Sequence, residues 1–193
     1  MNKENIRNFV LASIISAIIA VMTIVPYLGY ISYGLIEITT LHIVVIIGSV
    51  LMGWKYGALL GGVWGLTCVI RASVLAAASP VFEIFINPFV SLVPRIIVGI
   101  VAGSMFNLLK NKLKVGDGIS AGISAIAGTL TNTLLVLSSM YFFGGMISSY
   151  KDVFELLKTI WLTIIGVNGL IELIMAIIVV PGIYTSVKKV YRG

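Results

Sequence analysis

The chain has 193 residues, 59% of them apolar and 10% charged, with a formal net charge of +6; its mean hydropathy is +1.12, whereas soluble domains run at about a quarter charged. No soluble core absorbs that much apolar surface, so a water-soluble fold is excluded and residues 1–193 are read as one membrane domain. The basic residues are scattered at helix ends without interleaved aromatics, which speaks against a nucleic-acid surface.

The apolar stretches follow one another with short polar breaks. The first runs from about Phe9 to Leu28; Lys3 and Arg7 precede it, and Pro26 with Gly29 closes it. Its start imitates a secretory signal, but five further spans follow and it reads as an uncleaved first helix. A loop rich in tyrosine and glycine, Tyr30 to Glu37, leads to a short second span from about Ile38 to Met52. After the tight connection Gly53-Trp54-Lys55-Tyr56-Gly57, a third span continues to about Ala78, where Ser79-Pro80 interrupts it. The fourth covers Ile84 to Leu109, the fifth Ile119 to Phe143 and the sixth Leu156 to Val180. At roughly 20 apolar residues per crossing, the pattern predicts an all-α membrane protein of six transmembrane helices.

Lysine and arginine set the orientation, because cytoplasmic loops are enriched in them. Lys3, Arg7, Lys55, Lys110, Lys112, Lys114, Lys188, Lys189 and Arg192 all fall on one side of a six-span chain. Lys151 and Lys158 lie on the other, offset by Asp152 and Glu155. Both termini are therefore expected in the cytoplasm.

Small residues recur at helical spacing. Gly53, Gly57, Gly61 and Gly65 line one side of span three, and Ala12, Ser16 and Ala20 one side of span one, with Ser13 and Ala17 adjacent. In lipid such stripes let helix backbones pack closely, their default meaning.

Polar residues at bilayer depth are costly and point to function. Asn87, Ser91 and Arg95 form one stripe on span four, descending about 12 Å from the outside at 1.5 Å per residue. On span six, Trp161, Asn168, Glu172 and Met175 share a face. Span five brings Thr129 and Asn132 to mid-depth, and His42 opens span two at the outer end. Several helices thus aim donors and acceptors at the outer half, as a binding pocket requires. Two alternatives stand beside that reading: Arg95 simply pairs with Glu172, and Arg71, near the outer end of span three, only reaches the headgroups.

Other chemistries find no support. One cysteine, Cys68, allows no internal disulfide and reads as buried packing. One histidine without nearby carboxylates gives no metal site, and no cofactor is implied. The Gly-x4-Gly-Lys-Ser/Thr phosphate loop is missing, so any energy from ATP must come from another chain. Neither a Gly-x-Ser-x-Gly elbow nor a His-Glu-x-x-His pair is present, so nothing indicates an enzyme. A self-contained secondary transporter would show internal repeats, and Met1 to Ala78 finds no convincing echo in Ile84 to Gly193.

The stretches His42-Ile43-Val44-Val45-Ile46-Ile47-Gly48 and Gly53-Trp54-Lys55-Tyr56-Gly57-Ala58-Leu59-Leu60-Gly61, with Asn87-Pro88-Phe89-Val90-Ser91-Leu92-Val93-Pro94-Arg95, resemble the substrate-binding (S) components of energy-coupling factor vitamin transporters. The resemblance implies a subunit of the bacterial plasma membrane that captures a vitamin and docks on a membrane scaffold subunit with two ATPases. It implies scaffold contact through an Ala-x-x-x-Ala-like motif on helix one, here Ser13 and Ala17, with Ala12, Ser16 and Ala20 as another register. It further implies a pocket in the outer half covered by the loop from Gly29 to Glu37, which adds Tyr33 and Glu37 to the expected substrate contacts His42, Asn87, Ser91, Arg95, Asn132, Trp161, Asn168 and Glu172. Val25-Pro26-Tyr27-Leu28-Gly29-Tyr30-Ile31 with His42 and Pro94-Arg95 looks most like pantothenate-type members; riboflavin, pyridoxine, niacin and folate types remain open.

Overall fold

The computed structural model describes residues 3–33, 36–78, 80–144 and 151–192, and the side chains of these except 32–36, 78–81, 144–167 and 189–192. Helix α1 (Lys3–Ile24) stops ahead of Pro26, which has no amide to continue it. The chain then turns back through Tyr27, whose φ is +63°, into an antiparallel hairpin of β1 (Tyr30–Tyr33) and β2 (Ile36–Thr39), with Tyr30 opposite Thr39 and Ser32 opposite Glu37. Gly29 is where this hairpin crosses the end of α1: a Cβ there would lie 2.4 Å from the Met22 carbonyl oxygen, so no larger residue fits.

The predicted loop is thus a hairpin, and Ile38, expected to open the second span, lies in β2. Ile36 and Ile38 alternate with Glu37 and Thr39, the period of a strand. The Thr40 amide and hydroxyl donate to the carbonyls of Gly29 and Leu28 at 3.0 and 2.9 Å, which fastens β2 to the start of β1.

Helix α2 (Leu41–Met52) follows. It buries Leu41, His42, Ile43, Val45, Ile46, Gly48, Ser49 and Val50, and a helix apolar nearly all round belongs in an interior. One core packs α2 against three later helices, from Ile43 and Ile46 to Phe106 and Tyr184. A second joins α1, α2 and the helix that follows through Ile15, Ile19, Val45, Leu60, Trp64 and Cys68.

Gly53, with φ +90°, turns α2 into α3 (Trp54–Leu75). A 3-10 turn (Ala76–Ala78) and the short α4 (Pro80–Ile86) lead to α5 (Pro88–Asn107), which runs on into a π turn (Leu108–Lys112). Helices α6 (Asp117–Gly144) and α7 (Lys151–Arg192) complete the chain. The glycine stripe does the packing expected of it, with one change of role: Gly53 makes the turn, while Gly57, Gly61 and Gly65 press α3 onto α5. A Cβ at Gly99 would lie 2.0 Å from the Gly57 carbonyl oxygen, and one at Gly61 would lie 2.1 Å from that of Arg95.

Among the described residues, α1, α3, α5 with its π turn, α6 from Asp117 to Phe143 and α7 from Asn168 to Lys188 are five helices long and apolar enough to cross a membrane; α2 is a shorter apolar helix. At the end of the bundle remote from the hairpin, Asp117 pairs with both Lys110 and Lys188, fastening the π turn, α6 and α7 together.

Candidate functional site

The Asn-Pro pair at the head of α5 decides what its polar stripe can do. Asn87 is the N-cap, its side chain accepting from the Phe89 amide at 3.0 Å, with Pro88 in the first turn, the usual division of labour at a helix start. Ser91, fully buried, donates to the Phe85 carbonyl in α4. Asn87 and Ser91 therefore build the α4–α5 corner, and of the three Arg95 has a buried polar atom without a partner among the described residues. Its Nη1 donates to the Val90 carbonyl at 2.6 Å, its Nε has no partner among the described residues, and its guanidinium lies 5.0 Å from the Trp64 ring centroid and 5.7 Å from that of Phe85.

Arg95 and Glu172 form no ion pair among the described residues, although the carboxylate lies within the electrostatic reach of the guanidinium. Glu172 instead accepts from the Thr39 amide at 2.8 Å, holding the foot of the hairpin. Asn168, one turn away on α7, donates to the Glu37 carbonyl at 3.2 Å. The Glu37 carboxylate is gripped by Arg71, at 3.1 and 2.7 Å, in the two-pronged geometry that arginine favours. Arg71 thus turns inward to the hairpin rather than out to the headgroups, its guanidinium 4.1 Å from the Tyr30 ring centroid. Tyr30 completes the fastening: its hydroxyl accepts from Trp64 Nε1 at 3.2 Å and lies 2.9 Å from Cys68 Sγ. Burial holds the Tyr30 phenol well above its usual pKa range, so it stays protonated. The hairpin is therefore clamped on both sides, by α3 through Tyr30 and Glu37 and by α7 through Glu37 and Thr39.

Beneath it lies a second set of polar groups. His42 is fully buried, and neither ring nitrogen makes a hydrogen bond among the described residues; the Thr39 backbone lies near the ring. Thr129 Oγ1 and Asn132 Oδ1 on α6 are likewise buried and unpartnered. Packing puts them at one level. A Cβ at Gly128 would lie 2.8 Å from the Ile46 side chain, so one turn further toward the hairpin Asn132 comes level with His42. Gly169 faces Thr133, which brings Asn168 to the hairpin side of that level and Glu172 about one turn further in.

The expected residues thus separate into groups. His42 and Asn132 come level below the hairpin, with Arg95 within electrostatic reach of Glu172; Glu37, Asn168 and Glu172 hold the hairpin itself; Asn87 and Ser91 shape α5. The side chains of Tyr33 and Trp161 lie outside the described residues. Trp64, Tyr30 and Phe85 are additions, and Thr129, which the polar pattern of span five already marked, joins the buried set. For Trp64 a signal was present in its place between Gly61 and Gly65, which sets an indole on the close α3–α5 contact.

These features define a helical membrane protein that encloses polar groups from several helices beneath a clamped hairpin. The chain belongs to the family of substrate-specific components of ECF transporters, whose model matches residues 7–184. It is 33% identical over 163 residues to the pantothenic acid transporter PanT of Lactococcus lactis subsp. cremoris, covering 78% of each chain. It is 30% identical over 195 aligned positions to the pantothenate transporter PanT of Leuconostoc mesenteroides subsp. mesenteroides, covering 95% of this chain and 93% of that one.

Proposed function

We propose that this chain captures pantothenate within the bacterial plasma membrane and delivers it through an ECF complex of a transmembrane scaffold subunit and two ATPase subunits. The observation that carries the reading is the group of buried polar atoms on α2, α5 and α6 that have no partner among the described residues. Each costs about 1–3 kcal/mol if left unpaired, and three adjoining helices carrying such atoms beneath the hairpin suit a recognition site. Pantothenate offers a carboxylate, an amide and two hydroxyls. Arg95, unpaired with Glu172, is the group suited to the carboxylate; His42, Thr129 and Asn132 suit the hydroxyls and amide. Both pantothenate transporters named above point to the same ligand.

In this reading the chain crosses the bilayer six times, with α2 as a short, protein-enclosed crossing and both termini in the cytoplasm. The hairpin closes the outer end, and Lys55, Lys110, Lys112, Lys114 and Lys188 mark the inner one. Helix α1 meets the scaffold through Ser13 and Ala17. Both are exposed, while Ala12 on the alternative register is buried within the chain, and Ser13 Oγ donates to its own helix at Phe9, leaving a small surface with no polar demand.

The test is calorimetric titration of the purified chain with pantothenate, together with mass spectrometry of whatever small molecule co-purifies. Tight, saturable binding of pantothenate is expected. A different vitamin co-purifying, with no pantothenate binding, would replace the ligand; uptake by the chain without ATPase subunits would overturn the coupling.

A further inference from the structure

We propose that Pro94 is a positioning residue for ligand recognition, acting by leaving the Val90 carbonyl free to hold the Arg95 guanidinium. In a regular helix the amide of residue 94 would donate to the carbonyl of residue 90. Proline has no amide, so within α5 this acceptor is released four residues before the break. Val90 is fully buried, and a buried carbonyl must find a donor from somewhere. It finds Arg95 Nη1 at 2.6 Å.

The consequence is directional. Helical side chains lean toward the N-terminus of their helix, and the bond to Val90 fixes that lean, turning the guanidinium back along α5 over Trp64 and Phe85. One prong is occupied by the chain itself, while Nε stays buried and without a partner among the described residues. The backbone beneath is equally fixed, since Gly61 brings α3 against the Arg95 carbonyl so closely that a Cβ would meet it at 2.1 Å. The broken helical bond thus converts a long, flexible side chain into an oriented one, which lowers the ordering cost of binding an anion.

This inference rests on the reading that Arg95 meets the carboxylate of pantothenate, and the experiment separates the two. Pro94→Ala supplies the missing amide, which takes the Val90 carbonyl and frees Arg95. The expected result is about a tenfold loss of pantothenate affinity, the scale of a hydrogen bond to a charged group, with unchanged affinity for the alcohol analogue in which a hydroxymethyl group replaces the carboxylate, and no fall in melting temperature. Pro94→Val, carrying the same amide on a side chain nearer proline in volume, guards against a poorly folded alanine variant. In an Arg95→Gln background, Pro94→Ala should cost nothing further.

Equal loss for acid and alcohol, or full additivity of the two substitutions, would overturn the positioning role. Arg95→Gln binding pantothenate normally would instead sink the assignment of Arg95 to the carboxylate. The positioning claim then still faces a ligand-free measurement. The chain holds four arginines, and in nitrogen-15 spectra Pro94→Ala should move the side-chain resonances of Arg95 and leave those of Arg7, Arg71 and Arg192 in place. An unmoved Arg95 spectrum would overturn it.

Discussion

Arg95 is a residue whose removal has two separable effects. Arg95→Ala leaves the Val90 carbonyl buried without a donor, at about 1–3 kcal/mol of stability, and takes away the cation proposed for the ligand carboxylate. Binding is expected to fall at least about a hundredfold, more than one lost charge-assisted hydrogen bond, while the melting temperature drops by only a few degrees. Titration calorimetry beside thermal melting reads both, and normal affinity with a collapsed melting temperature would return Arg95 to a purely structural role. At this scale the sequence misleads in a consistent way. Asn87, Ser91 and Arg95 look equivalent as a stripe spaced by four, but local backbone demands come first: the cap consumes Asn87 and the Phe85 carbonyl consumes Ser91. The Asn-Pro pair announced that cap. The bond from Ser91 to Phe85 was not legible, because nothing in composition shows that α4 ends where it does.

The hairpin is an element held by a few specific bonds. Glu37→Gln keeps the shape but loses the charge that Arg71 grips at 2.7 Å, and a pair this partly exposed sets local opening more than global stability. Amide exchange in β1 and β2 should quicken several-fold in Glu37→Gln while the protected amides of α2 stay unchanged. In the parent chain, saturating pantothenate should slow the same hairpin amides; hydrogen exchange followed by mass spectrometry measures both, and indifference to ligand would remove the hairpin as a cover. The strands were half-legible. Ile36-Glu37-Ile38-Thr39 alternates as a strand does, but the apolar run after it absorbed Ile38 into a predicted span. The partners that fasten it, Arg71, Asn168 and Glu172, are 34 or more residues away in sequence, and no local pattern encodes such pairings.

Over the whole molecule, the division between seam and surface decides what each small-residue stripe does. Gly57 and Gly99 touch backbone to backbone, so Gly99→Leu must push α3 and α5 apart. Overpacking of that kind costs about 1–3 kcal/mol or more, and a fall in melting temperature with loss of ligand binding is expected, since Arg95 and Trp64 sit on the two sides of the seam. Ala17 faces outward. Ala17→Trp should leave ligand binding by the isolated chain near normal and abolish most ATP-dependent uptake in vesicles carrying the complete complex, because an indole cannot enter a close helix–helix contact. Persistent uptake would move the contact elsewhere. Composition and periodicity alone made the apolar helices and the glycine seam legible. Which stripe faces inward was beyond them, since span one offers two small-residue registers that differ only by what surrounds the helix.

The brevity of α2 bears on how the chain is made. Twelve residues extend about 18 Å, well short of the roughly 30 Å hydrocarbon layer, and the helix carries buried His42 besides. Membrane helices ordinarily insert one by one and associate afterwards, but a segment this short gains too little from lipid to wait there alone. The sharp Gly53 turn ties it to α3, so the two are expected to insert together as a helical hairpin, with α2 enclosed once α5, α6 and α7 pack around it. The proposed recognition site is therefore expected to be completed last, with a chain cut before α7 anchored in the membrane yet unable to retain its vitamin.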